Sequence, residues 1–416
     1  MKITVLGINF YPELIGIGVY NTELCEYLRN VGHEVTIFTA LPYYPHWEIP
    51  EHYKRKLFLT ENYKGVVIRR SYLYVPKKII TISRIFHEFS FMISSFFNLL
   101  FSGRPDIIFV VSPPLGLGLV AYVIGKIKSV PFVFHIQDLQ PDAAVELGML
   151  TNRKLLNLLY KIEKFIYQKA KRIGVISKKM GEKIISKEIN RKKILYFPNW
   201  VDTQYIKPLP RNNKFRQENG LGNRFVVLYS GNIGMKQGLD IILDVADETK
   251  DNKNIIYIIA GDGAYKKELI RKYKIQKLEN VFFLPIQSKE MLPYMLSAAD
   301  VCLVPQQKAV TDVVMPSKLL GIMACGKPVI AGANPGSELY NVIKDSGCGI
   351  AVEPENPKQL LEAIMKLYDD PKKGEEYSKK AREYVINDFS KINILKSFEE
   401  KLETIKLLGL NYTVPH

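Results

Sequence analysis

Short runs rich in Val, Ile and Phe alternate along the chain with longer stretches of helical periodicity, which predicts parallel sheets covered by helices. Residues 3–9, 34–39, 66–70, 107–111, 131–136 and 173–176 read as one set of strands, and 225–229, 255–260, 281–284, 301–304 and 329–331 as a second. Between the sets, residues 203–223 are polar, carry Pro208 and Pro210 and lose the apolar period, so a linker is expected there. The predicted class is α/β with two Rossmann-like domains, 1–202 and 224–385. A helical segment over 386–416, the end of a charged helical stretch from about 375 to 408, is expected to pack back on the N-terminal domain.

One helical stretch departs from this pattern. Over Ile85 to Phe101 the polar residues His87, Ser90, Ser94, Asn98 and Ser102 fall on a single stripe, and the remaining surface is aromatic or aliphatic. A core helix packed on the first sheet accounts for this. So does an interfacial helix flanked by Lys77, Lys78, Arg84 and Arg104, suited to a peripheral membrane surface; the stretch is too short and polar to span a bilayer.

Composition narrows the function classes. At 416 residues and 47% hydrophobic content the chain is long enough for two cores. Cys25, Cys302, Cys325 and Cys348 are widely separated, which suggests neither a disulfide framework nor a zinc site and favours reduced thiols in the cytoplasm. Met1 to Gly7 read as a buried first strand rather than a signal peptide. The net charge of +16 calls for an anionic partner, but the cations are dispersed and no zinc-finger or RNA-binding pattern accompanies them, so nucleic acid is disfavoured.

Candidate chemistry sits just after the strands, where doubly wound sheets bind ligands. Gly16 and Gly18 follow the first strand and would let backbone amides approach a phosphate or sugar; Asn21 stands where a dinucleotide fingerprint needs glycine, which disfavours a nicotinamide enzyme. His135 and Asp138 close a later strand and could hold a substrate hydroxyl or phosphate oxygen, although a structural histidine fits equally. Tyr229 to Gly238 join a strand to a glycine-rich loop in which Gly231, Asn232 and Lys236 suit a diphosphate, and Gly261 and Asp262 end the next strand; a tight turn is the alternative there. Ser317 and Lys318 open a helix whose N-terminus would meet an anion, with plain capping as the alternative. No Asp-x-Asp sequence occurs, so cationic and backbone groups, not a clamped metal, must neutralise a leaving diphosphate, and no cofactor is expected.

The order of Gly16-Ile17-Gly18, His135, Pro198 to Asp202, Gly231 to Gly238, Gly261 to Gly263 and Ala324 to Ile330 resembles the retaining GT-B glycosyltransferases of the large Glu-x7-Glu family, across nearly the whole chain. More narrowly, Gly7 to Glu13, Pro42 to Pro45, His135 to Leu139 and Ser230 to Gly234 are similar to colanic acid and O-antigen transferases of the N-acetylfucosamine type. The resemblance implies two Rossmann-like domains facing a central cleft, an acceptor-binding N-terminal domain and a UDP-sugar-binding C-terminal one. It implies retention without a protein nucleophile, with Lys236 and Lys318 stabilising the diphosphate and His135 orienting the donor. The acceptor would be a saccharide on a polyprenyl diphosphate, met peripherally at the inner face of the plasma membrane. The family glutamates would fall at Val313 and Gly321, neither acidic, and Asp312 is the neighbouring candidate. A nucleotide-sugar 2-epimerase and an inactive membrane-bound subunit of a glycan assembly complex remain as rival readings.

Overall fold

A computed structural model of the protein describes residues 1–78, 80–146, 152–309 and 316–410. The chain forms two compact units, one built from Met1–Pro198 together with the segment from Leu395 onward, the other from Asn199–Ile394.

In the first unit, β1 (Lys2–Leu6), β2 (Glu34–Ala40), β3 (Phe58–Tyr63), β4 (Val66–Ser71), β5 (Ile107–Ser112), β6 (Phe132–Ile136), β7 (Arg172–Val175) and β8 (Ile194–Tyr196) make one sheet in the order β3-β4-β2-β1-β5-β6-β7-β8. All neighbours are parallel except β3 and β4. The second unit holds β9 (Phe225–Ser230), β10 (Ile255–Ala260), β11 (Val281–Leu284), β12 (Val301–Val304), β13 (Val329–Gly332) and β14 (Gly349–Val352), all parallel, ordered β11-β10-β9-β12-β13-β14. Both sheets are doubly wound, with the strand order reversing beside β1 and β9. Central strands such as β5 (IIFVVS) and β10 (IIYIIA) are buried at every residue, because helices cover both faces of a parallel sheet.

The predicted strands fall on observed ones, and three elements lie outside the prediction. β3 is a half-buried edge strand with the sequence FLTENY, β8 has three residues, and β14 begins at Gly349, where an added Cβ would meet the Val329 carbonyl at 1.8 Å. The expected linker is a further correction. Residues 203–223 belong to the second unit: the helix Lys214–Glu218 buries Phe215, Leu221 joins the same core, and Arg211 and Arg216 both reach Asp300. The charged C-terminal stretch is two helices, Pro371–Phe389 and Lys391–Leu410, separated at Ser390, whose backbone bridges Val201. In the first unit Phe398 stacks on Phe197 at 3.8 Å between ring centroids, and Glu399 accepts hydrogen bonds from Tyr27 and His33.

Candidate functional site

The register of the second sheet sets Ser230 opposite Ala260, so the turns after β9 and β10 lie side by side. Their glycines are there for close approach. Gly231 (φ +143°) donates its N–H to the Ala260 carbonyl at 3.0 Å, and a Cβ on Gly261 (φ +151°) would fall 1.9 Å from the Gly231 carbonyl. The result is bare backbone at the carboxyl end of the strands, next to the point where strand order reverses.

Into this turn reaches Lys318, from the first turn of the helix Ser317–Ala324. Its Nζ donates to the Tyr229 hydroxyl at 2.9 Å and would lie 3.2 Å from a Cβ placed on Gly231. Tyr229 is buried in β9 and donates its own hydrogen to the Asn232 carbonyl at 2.6 Å, so the phenol oxygen is oriented to accept from the lysine. Burial holds the Lys318 pKa down at about 8. A cation kept in this way beside bare glycine backbone is a place for an anionic oxygen.

The other predicted donor residues are distributed differently. Pro316, not Ser317, occupies the N-cap, and Ser317 is exposed in the first turn with no capping bond. The Lys236 side chain is exposed, while its carbonyl accepts from Gln307 N at 2.9 Å. Asn232 is exposed, and Asp262, also exposed, bonds the neighbouring Gly263 amide. Val313 and Asp312 lie outside the described residues. Gly321 faces Leu296 at 3.8 Å, so a side chain there begins against the core. Tyr229 was not singled out by sequence reasoning, since it reads as one more apolar residue of a buried strand.

In the first unit, Gly16 (φ +56°) caps the helix Ile17–Asn30 with open space around it, whereas a Cβ on Gly18 would strike the Glu13 carbonyl at 2.1 Å. Gly16 is thus available to a ligand and Gly18 is a packing glycine. Glu13 supplies an unforeseen tie: its carboxylate accepts from the amides of Tyr43 and Tyr44, both at 2.6 Å, and from Asn9, joining the loops after β1 and β2. Burial raises the Glu13 pKa against these bonds.

His135 is buried at the end of its strand. Its ring lies within β6 at 2% exposure, 5.5 Å from Phe109 and 5.0 Å from Phe197, with Nε2 2.9 Å from the Gln137 amide nitrogen and Nδ1 against Gly174. The Gln137 amide donates, so Nε2 is unprotonated, and burial pushes the pKa down to about 3. The imidazole is thus neutral and enclosed by aromatic rings. The polar group it presents beyond the strand is Gln137, followed by the exposed Asp138.

The helix Thr81–Leu100 shows which way its polar stripe points. Asn98 donates to the Arg70 carbonyl, Ser94 to the Tyr72 carbonyl and His87 Nδ1 to the Tyr74 carbonyl, while Ser90 accepts from the Tyr74 amide. The polar stripe is the inner face. Ile82, Ile85, Phe86, Phe89, Ile93 and Phe97 are left exposed, and Phe101 just beyond the helix is 80% exposed. Among the described residues no helix is long and apolar enough to cross a membrane.

Those residues also include one grouping with metal-ligand types, His33, Glu399 and Glu403. Both His33 nitrogens are engaged, Nδ1 by the terminal amine and Nε2 by Glu399 at 3.0 Å, so the cluster serves as a hydrogen-bonded tether for the C-terminal helix.

Comparison with known proteins bears on this geometry. Residues 211–384 match the family of glycosyl transferases group 1, and residues 16–200 the glycosyl transferase 4-like domain. A putative colanic acid biosynthesis glycosyl transferase, WcaI, from Escherichia coli (strain K12) is 35% identical over 96% of this chain and 98% of its own. A probable glycosyltransferase, WbjE, of Pseudomonas aeruginosa is 27% identical over 56% of this chain and 58% of its own. Among solved structures, Anabaena HepE in complex with UDP superposes with a TM-score of 0.73 over 97% of this chain and all of that one, at 16% identity. With the doubly wound pair of sheets and full-length similarity both in hand, the chain belongs to the group 1 glycosyl transferases and is a glycosyltransferase of the GT-B fold.

Proposed function

We propose that the protein transfers a sugar, with retention, from a UDP-sugar bound by the second unit to a polyprenyl-diphosphate-linked saccharide bound by the first, in surface polysaccharide synthesis. The sugar assigned is an N-acetylated amino sugar of the N-acetylfucosamine type. The observation that carries the reading is Lys318, a half-buried ammonium that donates to a phenol and is set against the Gly231 turn. A diphosphate oxygen there would complete the charge, and the same contact would strengthen as the diphosphate leaves. Gly231 and Gly261 leave room for the diphosphate to approach the backbone, and the helix start at Ser317 offers amides to it; Lys236 and Asp262, both exposed, are assigned to the outer part of the donor. The relative named for colanic acid biosynthesis and the UDP-bound structural neighbour support the pathway and the nucleotide.

The lipid-linked acceptor is supported by the outward Phe and Ile face of the helix Thr81–Leu100, which suits the headgroup region of a membrane. The donor assignment is tested by calorimetry of the wild type and Lys318→Met against UDP, GDP, CDP and ADP. Selective UDP binding that the variant loses is the expected result. Equal binding of UDP by both proteins would remove Lys318 from the site, and binding of no nucleotide by the wild type would reject the transferase reading in favour of an inactive subunit.

A further inference from the structure

At the opposite edge of the first sheet, by the amino-terminal ends of β6 and β7, lies a cavity of about 650 Å³ whose walls carry Lys126, Lys169, Lys171, Arg172, Lys192 and Lys193. No Asp or Glu lines it. Part of this charge has a structural task. Lys193 donates to the carbonyls of Tyr167, Gln168 and Ala170 at the end of the helix Arg153–Lys169, and Arg172 bonds the Lys171 carbonyl. Lysines at helix C-termini are favourable in themselves. The number here exceeds that need: burial, together with Lys169, Arg172 and Lys171, holds the Lys193 pKa below its ordinary value. The volume is also in the range of a small-molecule site, larger than a cap requires.

The cavity is joined to the apolar face already described. Ser129 in its wall accepts from Arg104, and Lys128 donates to the carbonyl oxygens of Ser102 and Gly103, the residues that follow Phe101 at the end of the helix Thr81–Leu100. Ile127, next to Lys126, is 57% exposed. Cations gathered beside exposed Phe and Ile side chains match a surface that is anionic at its headgroups and apolar beneath them.

Resting on the reading that the first unit meets a membrane, we propose that this cavity takes the phosphate headgroup of an anionic phospholipid while the Phe and Ile face enters the acyl boundary. The chemistry recognised is a phosphate ester, and the lipid rather than a soluble phosphate is assigned because the apolar residues adjoin the cavity. Its role is to hold the enzyme on the leaflet, apart from the donor and acceptor sites.

The test uses the full chain and vesicles of phosphatidylcholine, alone or with phosphatidylglycerol. A pocket variant, Lys126→Glu/Lys169→Glu/Lys192→Glu, is compared with a matched reversal at the exposed Lys274, Lys358 and Lys372 of the second unit, and with Phe86→Ser/Phe89→Ser. Thermal melts establish that each variant is folded. Phosphatidylglycerol is expected to raise wild-type partitioning about tenfold or more. The pocket variant should lose that increment, the matched reversal should keep most of it, and the Phe variant should lose partitioning to both vesicle types.

Equal loss in the pocket variant and the matched reversal would overturn the proposal, leaving only diffuse charge attraction. So would binding of inorganic phosphate or glycerol phosphate to the wild type as tightly as short-chain phosphatidylglycerol below its micelle concentration, since the site would then be one for soluble phosphate. If short-chain phosphatidylglycerol binds the wild type and not the pocket variant while neither vesicle retains the protein, the headgroup pocket stands and the membrane reading fails.

Discussion

The second unit holds two cations, the buried Arg216 and the half-buried Lys318, in different ways. Arg216 is 2% exposed and fully engaged: its guanidinium donates to Asp300 at 2.7 Å and to the carbonyls of Ala298, Gly222 and Arg224. Asp300 accepts in addition from Arg211 and from the Val226 amide. Lys318 has a phenol in place of the carboxylate and bare glycine backbone in place of the carbonyls. A buried charge whose partners are all intramolecular fixes the fold. One that meets a phenol and no carboxylate among the described residues is suited to an anionic ligand.

The largest effect should come from breaking the first arrangement. Asp300→Asn leaves two arginines without their acid and is expected to destabilise the protein by about 3–5 kcal/mol, read from denaturant unfolding. Lys318→Met should do the reverse. UDP affinity is expected to fall by about 2–5 kcal/mol in calorimetry, while the melting temperature of the free protein rises, because an ammonium held at a desolvation cost has been removed.

Titration sharpens the same contrast. The folded pKa of Lys318, about 8, lies below its ordinary 10.5, so protonation is disfavoured in the folded state and the cost of holding the charge is present in full below pH 8. That cost, about 3 kcal/mol, should fade between pH 8 and 10.5, so that the stability advantage of Lys318→Met shrinks as pH rises. UDP binding should take up a proton near and above pH 8 and weaken as the amine discharges. Calorimetry in buffers of different ionisation enthalpy measures the uptake; a pH-independent affinity from 7 to 10 would contradict the assignment.

His135 extends the comparison to the first unit. Its imidazole NMR signals should not titrate between pH 5 and 8, since burial holds it near 3, and His135→Phe should keep kcat/KM within about tenfold, short of the 10²–10⁴ lost with a general base. The smallest effect on the fold is expected from Phe86→Ser/Phe89→Ser, within about 0.5 kcal/mol per residue by thermal melt, because both rings are already exposed.

The sequence exposed the sheets where burial makes strands continuously apolar, as in β5 and β10, and missed them where an edge or shortness breaks the run, as in β3, β8 and β14. Residues 203–223 resembled a linker because prolines and charges dominate them. Their organising partner, Asp300, is more than eighty positions away, and pairing at that distance leaves no local period. The donor turn was legible in its glycines, which answer to backbone approach, and Lys318 was legible as a helix-start cation. Its orientation was not, since that depends on the Tyr229 hydroxyl across the sheet end. The burial of His135 was not legible, since it depends on a strand covered on both faces, which leaves no solvent side for its last residues to face.

The helix Thr81–Leu100 carries a consequence for mutational tolerance. In an ordinary surface helix the apolar positions resist substitution and the polar ones accept it. Here Ser94, Asn98 and His87 hold the backbone of residues 70–74, so Leu in their place would leave those carbonyls unsatisfied, whereas polar residues at Ile85, Phe89 or Ile93 would meet only solvent. A deep scan scored on folding alone would therefore find the polar stripe intolerant together with the buried Phe91 and Leu99 and the outward Phe and Ile positions tolerant, and the same scan scored on growth would add the outward face if it has a task in the cell.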